Sequence, residues 1–193
     1  MAKKESNFTN MFVTLLIVTF VSSAALGFIY ELTKTPIEDA LLYKKTLAIQ
    51  IVLPEFNNDP FNEAKKVAVG KDTLNLYPGR KDSVLTGVAV ETSAPGYGGD
   101  IRLLIGFMPD GSIREVAVLE HKETAGLGDK ILKSKSDFPL QFEGKNPESF
   151  KLGVRKDGAG DVDAISASTI TTRAYCKAIQ KAYDALKKGD LEK

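Results

Sequence analysis

The sequence predicts an α+β protein: an antiparallel sheet flanked by helices, tethered by one N-terminal transmembrane helix. Three observations predict it. An uncharged apolar run opens the chain, a block of alternating β-forming segments fills its middle, and an amphipathic helical stripe closes it.

Residues 8–30 contain no Asp, Glu, Lys or Arg. At about 1.5 Å per residue, a helix of that length crosses a hydrocarbon core of roughly 30 Å. The run continues past the small residues Ser22, Ser23, Ala24, Ala25 and Gly27 into Phe28, Ile29 and Tyr30. A cleaved signal peptide has a shorter apolar region that stops at its small residues, so a retained anchor is the reading here. Lys3 and Lys4 precede the span, which biases residues 1–7 toward the cytoplasm and the rest of the chain toward the outside.

Thr35-Pro36 marks the expected exit from the membrane helix, because a residue before proline avoids the α region. A second helical pattern covers residues 37–52 and stops at Pro54, so residues 31–60 read as a connecting helix and loop. Residues 61–193 form the globular domain. Within it, residues 66–69 are a short apolar strand, and residues 84–94 (VLTGVAVETSA) alternate. Residues 101–108 and 113–120 flank Pro109-Asp110-Gly111-Ser112, which predicts an antiparallel hairpin. Residues 129–134 allow a helical turn. The closing helix, from near Thr171 to Gly189, places Ala174, Cys176, Ile179, Ala182, Tyr183 and Leu186 on one stripe.

Composition excludes several functions. Lys+Arg 26 against Asp+Glu 25 lacks the basic excess of a nucleic-acid binder. One cysteine, Cys176, and one histidine, His121, cannot build a Cys-ligated iron–sulfur cluster, a zinc site or a His-rich metal site from this chain alone. No metal is expected, and redox chemistry would need an organic cofactor.

The stretch DVDAISASTITTR, residues 161–173, sets the hydroxyls Ser166, Ser168, Thr169, Thr171 and Thr172 at the mouth of the last helix. Capping needs one or two of them. A helix start offers free N–H groups and positive dipole, so the spacing allows a phosphate site, with Arg173 adding charge.

Asp163-Ala164-Ile165-Ser166-Ala167-Ser168-Thr169 resembles the flavinylation motif of FMN-binding domains: Asp, two residues, Ser or Thr, Gly, Ala, then Thr or Ser. Ala167 stands for the Gly and Ser168 for the Ala. In that family the final hydroxyl carries FMN through a phosphoester, so the resemblance points to Thr169, with Ser168 the alternative acceptor. Glu123-Thr124-Ala125-Gly126-Leu127-Gly128 is similar to the family's ETPGLG loop, and Gly96-Tyr97-Gly98-Gly99 to its glycine-rich segment.

The likeness spans the chain and is nearest to the G subunits of Rnf-type ion-translocating complexes, with the C subunits of sodium-pumping NADH:quinone oxidoreductases next. It implies a covalent FMN and ring contacts from Glu123, Thr124, Gly126, Leu127, Gly128 and Tyr97. It implies a flavin transferase using FAD and magnesium, and the other Rnf subunits as partners. It also implies an electron-transfer subunit of a ferredoxin:NAD oxidoreductase, without turnover of its own. The location implied is the bacterial inner membrane, with the domain periplasmic. A membrane-tethered binding module without redox chemistry, and a structural subunit that has lost its flavin, are the rival readings.

Overall fold

The computed structural model describes residues 7–189. Lys3 and Lys4, on which the cytoplasmic N-terminus rests, lie outside the described residues, as do residues 190–193. The chain divides into two units, Met1–Lys44 and Lys45–Lys193.

The first unit is helical. It belongs to α1 (Phe8–Val52), which among the described residues is the one helix long and apolar enough to cross a membrane. Hydroxyls in hydrocarbon need an internal acceptor. Thr14 Oγ1 accordingly donates to the Asn10 carbonyl at 2.7 Å, and Thr19 Oγ1 to that of Leu15 at 2.9 Å. The helix does not break at Thr35-Pro36, where the sequence pattern ends it: Pro36 lies inside α1. Proline deletes one backbone hydrogen bond and crowds the preceding turn. Neither effect ends a helix whose flanking turns remain bonded. The other boundary agrees, since α1 stops at Val52, before Pro54.

In the second unit, five strands form one antiparallel sheet in sequence order: β1 (Lys65–Val69), β2 (Asp72–Lys81), β3 (Val84–Pro95), β4 (Asp100–Phe107) and β5 (Ile113–Glu120). Short connections between alternating segments dictate this meander. β2 is not evident in the sequence, because Pro78 and Gly79 argue against a strand. β1 reaches only residues 72–76 of β2, so Pro78 sits where the outer ladder has already ended. There the loop before β1 takes over: Asn58 donates its Nδ2 to the Pro78 carbonyl at 3.0 Å and accepts the Arg80 N–H at 2.8 Å. β1 is the outermost strand on that side, and it begins with Lys65 and Lys66.

Both faces of the sheet are covered, so β3 and β4 are buried almost continuously rather than alternately. On one face lie the last turns of α1: Ala48, Ile49, Val52 and then Leu53 pack against Tyr77, Ala89, Leu104 and Leu119. Each buried aliphatic side chain there is worth about 2 kcal/mol. The approach is close enough that a Cβ on Gly106 would lie 2.0 Å from the Val52 carbonyl oxygen. On the other face lies α2 (Thr169–Lys188), whose Ala174, Cys176, Ala178, Ile179 and Ala182 meet Val88, Val90, Leu103 and Ile105. Burial pushes the Cys176 thiol up to about 12, as suits a packing residue. Two short 3-10 turns (Gly128–Ile131, Phe138–Phe142) close the end of the core and a third (Arg155–Asp157) is exposed, while Phe138 meets Tyr175 edge-on and Phe142 meets it tilted, each with ring centroids 5.2 Å apart.

One charged group sits under the end of α1. Glu91, 9% exposed, pairs with Lys45 at 2.6 Å and with Arg102 at 2.7 Å, and accepts the Tyr77 hydroxyl at 3.2 Å. Burial pushes its carboxyl up, but Lys45 and Arg102 outweigh that and hold it below its ordinary 4.5. A depressed carboxyl contributes stability above its unfolded pKa and loses it as pH falls through the folded one. Replacing Glu91 by Gln is expected to cost about 2 kcal/mol at pH 7, reduced from the fully buried case because Arg102 is half in water. The gap between wild type and variant should narrow as thermal melts are taken from pH 4.5 downward. An equal gap at pH 7 and pH 3 would refute the assignment.

Candidate functional site

The cleft lies where three loops meet the start of α2. Residues 96–99 join β3 to β4, residues 121–128 follow β5, and a turn at residues 165–168 leads into the helix. Its volume is about 420 Å³, and Tyr97, Glu123, Thr124, Leu127, Gly128, Ala167, Ser168, Thr169, Ile170 and Thr171 line it. Small-molecule sites span roughly 300–1,000 Å³.

The second loop turns tightly because the Thr124 carbonyl accepts the N–H groups of Leu127 at 3.2 Å and Gly128 at 3.0 Å. Gly126 takes φ +78 there, a left-handed value a side chain resists. Gly98 serves a different need: a Cβ on it would stand 2.0 Å from the Lys122 carbonyl oxygen. The Glu123 carboxylate joins the pieces. Oε1 accepts the N–H groups of Tyr97 at 2.9 Å and Gly98 at 3.0 Å, and Oε2 accepts the Thr171 hydroxyl at 2.5 Å.

Ser168 is the N-cap of α2, and its side chain makes no capping bond, so it does not occupy the first-turn N–H groups of a helix start whose residues 168–171 line the cleft. Thr169 is the first helical residue, two positions earlier than the sequence pattern places the start. Its side chain is half-buried while Ser168 is buried, and among the described residues no hydrogen bond holds its hydroxyl. The turn before it is closed by the Ser168 N–H on the Ile165 carbonyl at 3.0 Å, with Ala167 at φ 63. A positive φ at the third position makes this a type II turn, which favours glycine. Ala167→Gly is therefore expected to raise stability by about 1 kcal/mol, read as a higher melting temperature. An unchanged or lower one would contradict the strained turn.

The structure gathers Tyr97, Glu123, Thr124, Leu127, Gly128, Ser168, Thr169 and Thr171 around this space. Four other candidates lie outside the lining. Ser166 is an exposed turn corner, and Gly126 shapes its loop. Thr172 donates to the Ser168 carbonyl at 3.0 Å and accepts the Ile165 N–H at 3.1 Å, so its hydroxyl is spent on the turn. Arg173 pairs with Asp157 at 2.8 Å rather than pointing its charge into the cleft. Ile170, 50% exposed at the rim, is absent from the sequence candidates. His121 accepts the Glu123 N–H on Nδ1 at 3.3 Å, which fits a structural histidine.

Comparison with known proteins narrows the identity. Residues 96–184 match the FMN-binding domain family, a segment that holds both loops and nearly all of α2. The G subunit of the ion-translocating oxidoreductase complex of Erwinia tasmaniensis is 38% identical over 179 residues, covering 88% of this chain and 85% of that protein. The chain belongs to the family of G subunits of ion-translocating oxidoreductase complexes. The corresponding G subunit of Haemophilus influenzae is 36% identical over 167 residues, covering 82% of this chain and 78% of its own. Among solved structures, NqrC of Shewanella oneidensis superposes with a TM-score of 0.47 at 24% identity, over 64% of this chain and 70% of that one.

Proposed function

We propose that the cleft holds FMN bonded through its phosphate to the Thr169 hydroxyl, and that the chain relays electrons as a membrane-anchored subunit of an ion-translocating oxidoreductase. The observation that carries this reading is the Thr169 hydroxyl, half-buried, without a hydrogen-bond partner among the described residues, on the first turn of a helix that opens into a cleft. The donor set fits the group. The helix start supplies N–H groups and dipole for a phosphate, and Tyr97, Leu127 and Ile170, all exposed and apolar, offer a rim for a flat ring. Ser168 is the poorer acceptor because it is 7% exposed.

Attachment is a phosphoryl transfer. The Thr169 oxygen bonds to the FMN phosphorus of FAD, the bond between the two phosphates breaks, and AMP leaves with the electron pair. The hydroxyl proton passes to a base on a separate flavin transferase, which also brings magnesium, since this chain offers no metal cluster among its described residues. FMN supplies one- and two-electron chemistry when bound. The chain's own part is to hold the phosphate at α2 and exclude water from one ring face with Leu127 and Tyr97.

The orientation goes with this reading. The N-terminus lies in the cytoplasm, the domain lies outside the bacterial inner membrane, and the complex exchanges electrons between ferredoxin and NAD while moving an ion. Intact mass and ultraviolet fluorescence on a denaturing gel, taken on the full chain coexpressed with a flavin transferase, test the attachment. A mass raised by one FMN less water, in a fluorescent band, is the result expected. An unmodified mass sinks the proposal and leaves a tethered binding module.

A further inference from the structure

Glu123 is 9% exposed, and among the described residues no cation pairs with it. A buried carboxylate without a counter-charge persists only where donors satisfy it. Here three donors do, one each from Tyr97, Gly98 and Thr171. The surroundings are shaped to admit it. A Cβ on Gly96 would stand 2.4 Å from Oε1, and one on Gly128 would stand 2.6 Å from Oε2. Two glycines from two loops thus leave the room that one side chain fills. Its oxygens divide the work: Oε1 ties the residue 96–99 loop to the loop that carries Glu123, and Oε2 ties that pair to the first turn of α2.

We propose that Glu123 is the positioning residue of the cleft, fixing the Thr169 attachment point against the ring-facing side chains Tyr97 and Leu127, rather than a ligand of the flavin. The proposal rests on the FMN reading for its purpose and on the hydrogen-bond geometry for its mechanism. Both carboxylate oxygens are spent on protein donors, which leaves little for a bound group. Thr171 is buried with its hydroxyl committed, so it too acts through Glu123.

Glutamine can reproduce the arrangement. Its carbonyl accepts the two N–H groups, and its amide donates to the Thr171 oxygen, which turns from donor to acceptor. Alanine removes all three bonds, while Thr171→Val keeps the shape and removes only the link to α2. The test uses the full chain in both flavin-free and flavin-loaded forms. In flavin-free protein, Glu123→Ala should speed amide exchange at Tyr97 and Gly98 by about tenfold or more, and Glu123→Gln should leave it within about twofold of wild type. In loaded protein, Glu123→Ala and Thr171→Val should raise flavin fluorescence several-fold toward that of free FMN and blur the fine structure of its visible band. Glu123→Gln should restore both.

Wild-type exchange and spectra in Glu123→Ala would overturn the proposal, as would a Gln variant as perturbed as the Ala variant. If no chain acquires flavin, the FMN reading fails while the exchange data still judge the lock. Thr171→Val keeps the judgement open should Glu123→Ala fail to fold, because flavin-free exchange at Thr172, whose N–H donates to the Ser168 carbonyl at 3.0 Å, must still rise in it.

Discussion

Thr169→Ala is expected to abolish the covalent flavin completely while leaving the fold intact. The hydroxyl is the only atom group the proposed linkage uses, and nothing in the described structure leans on it for stability. Alanine is a good helix former at the first helical position, and a side-chain change without buried partners alters stability by less than about 0.5 kcal/mol. Loss of the label would then be chemical rather than a consequence of unfolding. Thr169→Ser should keep the label because it keeps the nucleophile, and Ser168→Ala should keep it because Ser168 is only 7% exposed. Intact mass reads all three variants. A label that survives in Thr169→Ala, or disappears in Ser168→Ala, would move the attachment to another hydroxyl.

Gly106→Ala is expected to produce a large loss of stability. The new Cβ would lie 2.0 Å from the Val52 carbonyl oxygen, 2.6 Å from its carbon and 2.9 Å from its Cβ. Two of these are backbone atoms, so no rotamer change relieves the clash. β4 is held between β3 and β5, and it cannot retreat without breaking a ladder. The end of α1 must lift instead, which exposes Ile49, Val52 and Leu53. Overpacking of this kind costs about 3 kcal/mol. Thermal unfolding should show the drop, and proteolysis in residues 53–60 should accelerate. A melting temperature unchanged from wild type would mean that the helix end does not press on the sheet as described.

Most of the architecture is readable where sequence period and turn chemistry agree. β5 spans Ile113–Glu120, the limits its alternation and the Pro109–Ser112 turn imply. β2 is not readable, because Pro78 and Gly79 carry local signals against a strand, and only the short reach of β1 removes the objection. The continuity of α1 through Pro36 is hidden for a related reason: a local rule about proline gives way to bonded turns on either side.

The site divides the same way. Thr169 and the two glycine loops stand out locally, each within a few residues. The partner of Arg173 does not, because Asp157 is brought in by a 3-10 turn that no periodicity announces. Nor does the role of Glu123, whose hydroxyl partner Thr171 lies in a segment distant along the chain. The sequence places the start of α2 late because threonines and isoleucine are weak helix formers, and the two-residue difference matters since it puts Thr169 inside the first turn.

The start of β1 also bears on how copies of the domain meet one another. A membrane confines its proteins to two dimensions, where encounters between like surfaces are frequent. An outer strand with unfilled ladder positions invites a neighbour to extend the sheet and seed fibrils. The exposed Lys66 puts like charge at the point where such a neighbour would have to dock, so self-association through that border begins with repulsion.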